Sequence, residues 1–242
     1  MPTLGINDTF PNLVGATQDN AAFDLYAYLG SSWGCVFMHP GDYTPVCTTE
    51  LGAAAGRAAA FGERGVKLCG FSCNDAESHR GWIADIKAAT GHAVEFPLFC
   101  DPTREFATTI GVLDATQKDA KGLPLTVRAC FILSPDRVIK AAIVYPASTG
   151  RNFDEIIRCI DSLQLTAKHA VATPVDWKPG QDCIVNFPLS DAEAETKFGK
   201  GGFTIVPVPS EAAEGKGPWM PGKHYLRTTK DPSAQGSTCT IG

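Results

Sequence analysis

Four apolar runs of strand length constrain the fold most: "WGCVFM" at 33–38, "GVKLCGFSC" at 65–73, "EFPLFC" at 95–100 and "TVRACFIL" at 126–133. They are near-continuous rather than alternating, as in strands that other layers bury. The stretches between them read as helices. Thr44 can cap the first, and Pro45 suits its first position, where a missing N–H is no loss. "TTELGAAAGRAAAFGERG" continues that helix until Gly65 stops it. Asn74 or Asp75 caps "AESHRGWIADIKAAT", with Trp82, Ile83 and Ile86 at helical spacing. Asp101 and Pro102 open "DPTREFATTIG", which Gly111 ends. "TVRACFIL" and "VIKAAIVY" flank Ser134-Pro135-Asp136-Arg137 as a hairpin. Asn152 starts a further helix, Glu155 completes a capping arrangement, and Phe153, Ile156, Ile157, Ile160 and Leu163 share one face.

Strands alternating with helices, then a hairpin, then a helix, predict an α/β protein with a central mixed sheet covered on both faces. The β-α-β…β-β-α order is that of a thioredoxin-like fold. The pattern breaks at "ATPVDWKPG" (172–180), rich in Pro and turn residues. The expected division is a main domain over 1–170 and a small α+β domain over 171–242. The second is too short for a large core of its own. It is expected to pack against a second subunit. "SEAAEGKGPWMPG" (210–222) reads as an exposed loop, and the last residues as a loose tail.

Charge and hydropathy exclude several function classes. The net charge of −5 comes with no long basic run, which argues against a nucleic-acid or anionic-membrane surface. No apolar run approaches a membrane span. "MPTLGINDTFPNL" has neither the basic start nor the apolar core of a signal peptide, so a cytoplasmic location is expected. Nine cysteines, at 35, 47, 69, 73, 100, 130, 159, 183 and 239, include no CxxC pair. That argues against a zinc ribbon or a thioredoxin-type dithiol, and no metal or cofactor is implied.

Most of these cysteines sit in apolar runs and read as small buried hydrophobes. Cys47 differs. It follows Thr44-Pro45-Val46 in the first turn of a helix, among polar neighbours and near unpaired backbone N–H groups. A free thiol ionises near ~8.5, so little thiolate exists at neutral pH. A helix end supplies about 0.3–1 kcal/mol, less than one pKa unit. A nearby cation can supply about 1–3 units, so an arginine should be the larger influence on a nucleophilic thiol. Arg128 is the candidate, in the middle of an apolar strand where an unpaired charge is costly. Spacing alone leaves two readings of it: a buried partner, or a side chain facing solvent from an edge strand.

The stretch "HPGDYTPVCTTELG" resembles the peroxiredoxin signature: a Pro, then a Thr, then the peroxide-attacking Cys. With "YPASTGRNFDEIIRCIDSLQLT" and "VATPVDWKPG" it is similar to the one-cysteine (1-Cys) subfamily, and the resemblance covers roughly residues 5 to 230. It implies a thiol-dependent peroxidase with a C-terminal dimerisation domain, acting on hydrogen peroxide and organic hydroperoxides. It makes Cys47 the nucleophile, Thr44 a hydrogen-bonding partner of the peroxide, and Pro40 a shield against water. Arg128 would hold thiolate and peroxide together. His39 would either line the mouth of the site or be a positioned polar neighbour, Glu50 would orient the arginines, and Arg151 matches a second arginine near it. Arg151 also reads as a helix-start residue paired with a surface carboxylate. The implied partners are an external reductant (glutathione, thioredoxin or ascorbate) and a second copy of the chain, with higher oligomers open. Resolving thiols, where relatives use them, would here be Cys183 or Cys239. The rival class is a redox sensor or holdase.

Three further signals are weaker. "GSSWG" (30–34) fits a nucleophile-elbow pattern, but Ser32 precedes a strand instead of following one. Some 1-Cys relatives carry phospholipase A2 activity. Ser32 and Asp136 match the serine and aspartate, while Tyr26 stands at the histidine position and leaves no base. Cys69, Cys73 and His79 suggest a metal site only on paper, since residues four apart on a strand lie about 13 Å apart. His92, His169 and His224 read as surface residues.

Overall fold

The computed structural model describes residues 2–209 and 224–234. The 210–222 loop and Cys239 lie outside the described residues. The chain divides into two units, 1–157 and 158–242.

In the first unit the order is β1 (Val14–Gly15), β2 (Phe23–Asp24), α1 (Leu25–Leu29), β3 (Trp33–Met38), α2 (Pro45–Gly56), α3 (Ala58–Glu63), β4 (Val66–Ser72) and α4 (Ala76–Thr90). Then come β5 (Leu98–Cys100), α5 (Glu105–Ile110), β6 (Leu113–Lys118), β7 (Pro124–Thr126), β8 (Arg128–Leu133) and β9 (Ile139–Tyr145), and α6 (Phe153–Lys168) begins. The main sheet runs β5-β4-β3-β8-β9. β3 pairs in parallel with β4 and antiparallel with β8, Val36 opposing Cys69 on one side and Phe131 on the other. The 33–38 run is therefore the middle strand, and its residues from Cys35 to Met38 are fully buried. Phe10, Leu25, Leu29, Met38, Phe71, Phe99 and Phe131 belong to the main core cluster. This is the mixed sheet of a thioredoxin-like fold.

Local readings needed correction where backbone geometry outweighed the sequence signal. The helix after Cys47 is two helices, interrupted at Arg57 (φ −106°, ψ 6°) just after Gly56. Gly56 lies where a Cβ would come within 2.9 Å of the His92 ring, so this glycine is a packing residue as well as a weak helix former. Thr44 occupies the cap position but makes no capping bond; its hydroxyl donates to the Gly41 carbonyl at 2.8 Å. Asp75, not Asn74, caps α4 through the Ser78 N–H. The helix expected from Asp101 starts at Glu105, because Asp101 N still bonds Ser72 O at the end of the sheet. Its carboxylate instead reaches the Ala107 N–H at 2.8 Å. The strand expected over 95–100 shrinks to Leu98–Cys100, after Pro97, which has no N–H to give a ladder. The β6–β7 hairpin has no counterpart in the sequence reading.

The second unit holds a four-stranded antiparallel sheet in the order β10 (Val171–Ala172), β11 (Cys183–Val185), β13 (Arg227–Thr229), β12 (Phe203–Ile205). Its helix α7 (Asp191–Phe198) opens with a complete capping box between Ser190 and Glu193. Its small core is Leu165, Val171, Trp177 and Cys183, with Phe198 packed against it. Arg227 is fully buried, bound to Asp191 at 2.8 Å and to the Leu189 carbonyl at 2.7 Å. Val175 is 87% exposed and Phe187 49% exposed.

Candidate active site

The loop from His39 to Thr44 leaves the C-terminal end of β3 and enters α2, so Cys47 stands in the first turn of that helix. Its side chain is fully buried. Arg128, the first residue of β8, points its guanidinium there: Nη1 donates to Cys47 Sγ at 3.3 Å and to Glu50 Oε2 at 2.6 Å. Nε and Nη2 both donate to the Ala147 carbonyl, at 3.0 and 2.7 Å. β8 is an interior strand and Arg128 is 3% exposed, so the edge-strand alternative is excluded.

Arg151 converges from the segment before α6. Its Nη1 donates to the Met38 and Ala129 carbonyls at 2.7 and 3.0 Å. Its Nη2 and Nε reach the two Glu50 oxygens at 2.7 and 3.0 Å, and its backbone N–H donates to Oε1 at 2.7 Å. The Arg151 guanidinium lies 5.2 Å from the centre of the Phe37 ring. The alternative pairing with a surface carboxylate is thereby corrected: the carboxylate is Glu50, itself 3% exposed. Two cations and one anion leave a buried net positive charge beside the sulfur. The resemblance implies that Glu50 orients the arginines; its grip on both depends on the fold bringing together positions 78 and 101 residues apart.

His39 does not line a mouth. It is fully buried, with Nε2 2.8 Å from Asp42 Oδ1. Burial holds its pKa below the ordinary histidine value, against the Asp42 hydrogen bond that favours the charged form. Burial works to raise the Asp42 pKa, yet hydrogen bonds from His39 and His79 outweigh it and hold this carboxyl well below the usual range. Pro40 is buried next to them, and Thr44 is half-buried. The Asp42–His79 contact, 2.8 Å, was not legible in sequence.

The remaining candidates lie elsewhere. Cys69, Cys73 and Cys100 have pKa values pushed up to about 12 by burial, and Cys183 up to about 11. Tyr26 Oη donates to the Phe10 carbonyl and Asp136 accepts from Ser134, and among the described residues no hydrogen bond joins Ser32 to either side chain. His92 is exposed, but His224 is half-buried and paired with Asp191 at 2.9 Å.

The AhpC/TSA family pattern matches residues 6–142, and the C-terminal domain of 1-Cys peroxiredoxin matches residues 162–201. Peroxiredoxin-6 of Rattus norvegicus is 49% identical over 233 residues, 95% of this chain and 98% of the relative. 1-Cys peroxiredoxin A of Oryza sativa subsp. japonica is 45% identical over 95% of this chain and 99% of its own. The chain belongs to the 1-Cys peroxiredoxins. It is accordingly a thiol-dependent peroxidase, an antioxidant oxidoreductase that acts on peroxide. Among solved structures, a cysteine-to-serine mutant of the peroxiredoxin 6 of Arenicola marina superposes on this peroxiredoxin with a TM-score of 0.86 at 42% identity, covering 95% of this chain and 99% of the other. A yeast mitochondrial 1-Cys peroxiredoxin, solved for its thiol resolving mechanism via glutathione/thioredoxin systems, gives 0.81 at 39% identity over 94% and 100%. Among the described residues no helix is long and apolar enough to cross a membrane.

Proposed function

We propose that Cys47 is the peroxidatic nucleophile and that Arg128, Thr44 and Pro40 complete its site, with Glu50, Arg151 and His39 in support. The observation that carries this is the 3.3 Å hydrogen bond from Arg128 Nη1 to Cys47 Sγ, on a guanidinium that Glu50 and the Ala147 carbonyl hold in place. The Cys47 thiolate attacks one peroxide oxygen; the S–O bond forms as the O–O bond breaks. The sulfur is oxidised to sulfenic acid, and the leaving oxygen takes up a proton and departs as water or an alcohol. Arg128 stabilises the growing negative charge without having to reorganise. Thr44 spends its proton on the Gly41 carbonyl, so its lone pairs are available to accept from the peroxide O–H. Pro40 excludes water.

An external thiol then attacks the sulfenic sulfur, releasing water and leaving a mixed disulfide, which a second thiol reduces. Glutathione or thioredoxin is the reductant class proposed here, ascorbate being the third candidate. Cys183 is buried on β11 with a pKa near 11, which speaks against it as a resolving thiol. Residues 171–242 form the proposed dimerisation domain of a cytoplasmic homodimer. Its exposed Val175 and Phe187 support burial against a partner. Light scattering on the full chain should give twice the 25.7 kDa mass at micromolar concentration; a monomer contradicts the dimer. Steady-state peroxide reduction with each reductant in turn tests the function. Fast repeated turnover is expected, and a single oxidation without turnover contradicts it.

A further inference from the structure

Asp42 is a buried carboxylate that the chemistry above does not use. It lies between two imidazoles: Oδ1 is 2.8 Å from His39 Nε2, and Oδ2 is 2.8 Å from His79 Nδ1. All three side chains are fully excluded from solvent. Ser78 Oγ also donates to Asp42 Oδ2 at 2.7 Å, and the Asp42 N–H donates to Asn74 Oδ1 at 3.1 Å. The His39 backbone is tied as firmly. Its N–H donates to Phe71 O, and its carbonyl accepts from Thr126 Oγ1. The cluster thus joins the loop before Cys47 to β4, β7 and α4.

The outer ring nitrogens decide the protonation. Among the described residues, His39 Nδ1 and His79 Nε2 are buried and have no hydrogen-bond partner. A proton on either would be a buried, unpaired donor, whereas a proton on the inner nitrogens is shared with a carboxylate. The arrangement is also the wrong one for a metal. A ligating imidazole usually gives its other N–H to a second group, and among the described residues none stands here to receive it.

We infer that Asp42 is a positioning residue: with His79 it fixes His39 as the Nε2–H tautomer and holds the 39–44 loop in the geometry that presents Pro40, Thr44 and the start of α2 to the peroxide. The rate consequence rests on Cys47 being the nucleophile; the tautomer does not. Displacing reacting groups by about 1 Å can cost about a hundredfold, so loosening this loop slows sulfenic acid formation at Cys47 and spares its later reduction by thiol.

Long-range ¹H–¹⁵N correlation spectra of the full-length protein, assigned with single His→Gln variants, test the tautomers. Protons on His39 Nε2 and His79 Nδ1 are expected; a proton on His39 Nδ1 overturns the inference. Stopped-flow oxidation by hydrogen peroxide tests the role. Asp42→Asn and His79→Phe should each slow Cys47 oxidation by about tenfold or more, while His79→Gln, which keeps an N–H donor, recovers most of the rate. Should Asp42→Asn fail to fold, the His79 pair and the wild-type spectra decide. Rates near wild type in the folded Asp42→Asn and His79→Phe variants overturn the inference. So does zinc uptake, measured with the metal alone, that is stoichiometric in the wild type and lost in Asp42→Asn. If the wild type itself oxidises elsewhere than Cys47, the reading of the nucleophile fails while the tautomer result still stands or falls by itself.

Discussion

Cys47 and Cys69 are both fully buried in the same unit, and they differ in what surrounds the sulfur. Cys69 sits mid-strand on β4 in the apolar core, where its thiol donates to the Gly70 carbonyl at 3.4 Å and burial pushes its pKa to about 12. Cys47 sits in a helix's first turn and receives a hydrogen bond from Arg128. Burial alone disfavours a thiolate; burial with a fixed cation does not. On the proposed reading of Cys47 as the nucleophile, a reactive cysteine in a closed core is made by its donors rather than by its exposure.

The most severe way to break the comparison is to exchange the sulfurs' fates. Cys47→Ser should reduce peroxide consumption to the background rate, and Cys69→Ser should leave it near wild type. Fast consumption by the Cys47 variant, followed by absorbance of the peroxide, would remove the distinction. Next in size is Arg128→Ala. Removing a preorganised donor to a developing oxyanion typically costs about 10²–10³ in rate, and stopped-flow fluorescence should show a loss of that order. A change of a few fold would mean that the helix end, not the arginine, separates Cys47 from Cys69.

Glu50→Gln sharpens the comparison through stability. It leaves Arg128 and Arg151 without their shared carboxylate in a buried site. Breaking a buried pair costs about 3–5 kcal/mol, which urea titration would detect as a lowered midpoint with an unchanged slope. The smallest effect is acid sensitivity. The folded pKa of His39 is held low, so as pH falls below about 6.5 the unfolded chain takes up the proton first. Its contribution is complete above that value and declines as pH falls toward the lower folded value. Asp42 adds loss of the same sign below about 3.9. Melting temperatures should fall between pH 7 and 5, and fall less steeply in His39→Gln. A flat profile would contradict the buried, neutral His39.

Much of this was legible because local rules and tertiary structure agree. Buried strands announced themselves at 33–38 and, over 126–133, at Arg128–Leu133, with Arg128 opening the strand instead of sitting in its middle; the hairpin at Ser134–Arg137 carried its turn residues, and Asn152 caps α6 with its carboxamide oxygen on the Asp154 and Glu155 N–H groups. Cys47 stood out because Thr44 and Pro45 mark a helix start that no other cysteine shares. What stayed hidden was long-range. Asp42 and His79 are 37 positions apart, and no local pattern makes a buried pair of them. The family motif alone leaves His39 open between a mouth and a positioned polar neighbour, while its carboxylate partner three residues on allows full burial. Gly56, just before the break at Arg57, packs against the His92 ring, a contact that no helix propensity reports.

One experiment bears on the central contrast most directly. Fully reduced protein is treated with one equivalent of hydrogen peroxide in the presence of dimedone, and its peptides are mapped by mass spectrometry for the wild type and Arg128→Ala. The adduct should fall on the Cys47 peptide of the wild type, with Cys69, Cys73 and Cys100 unmodified, and should be greatly reduced in the variant at the same early time. Adducts spread over the core cysteines, equal labelling in Arg128→Ala, or a dominant Cys47–Cys239 disulfide in place of the adduct would contradict a thiolate made reactive by Arg128 and resolved from outside the chain.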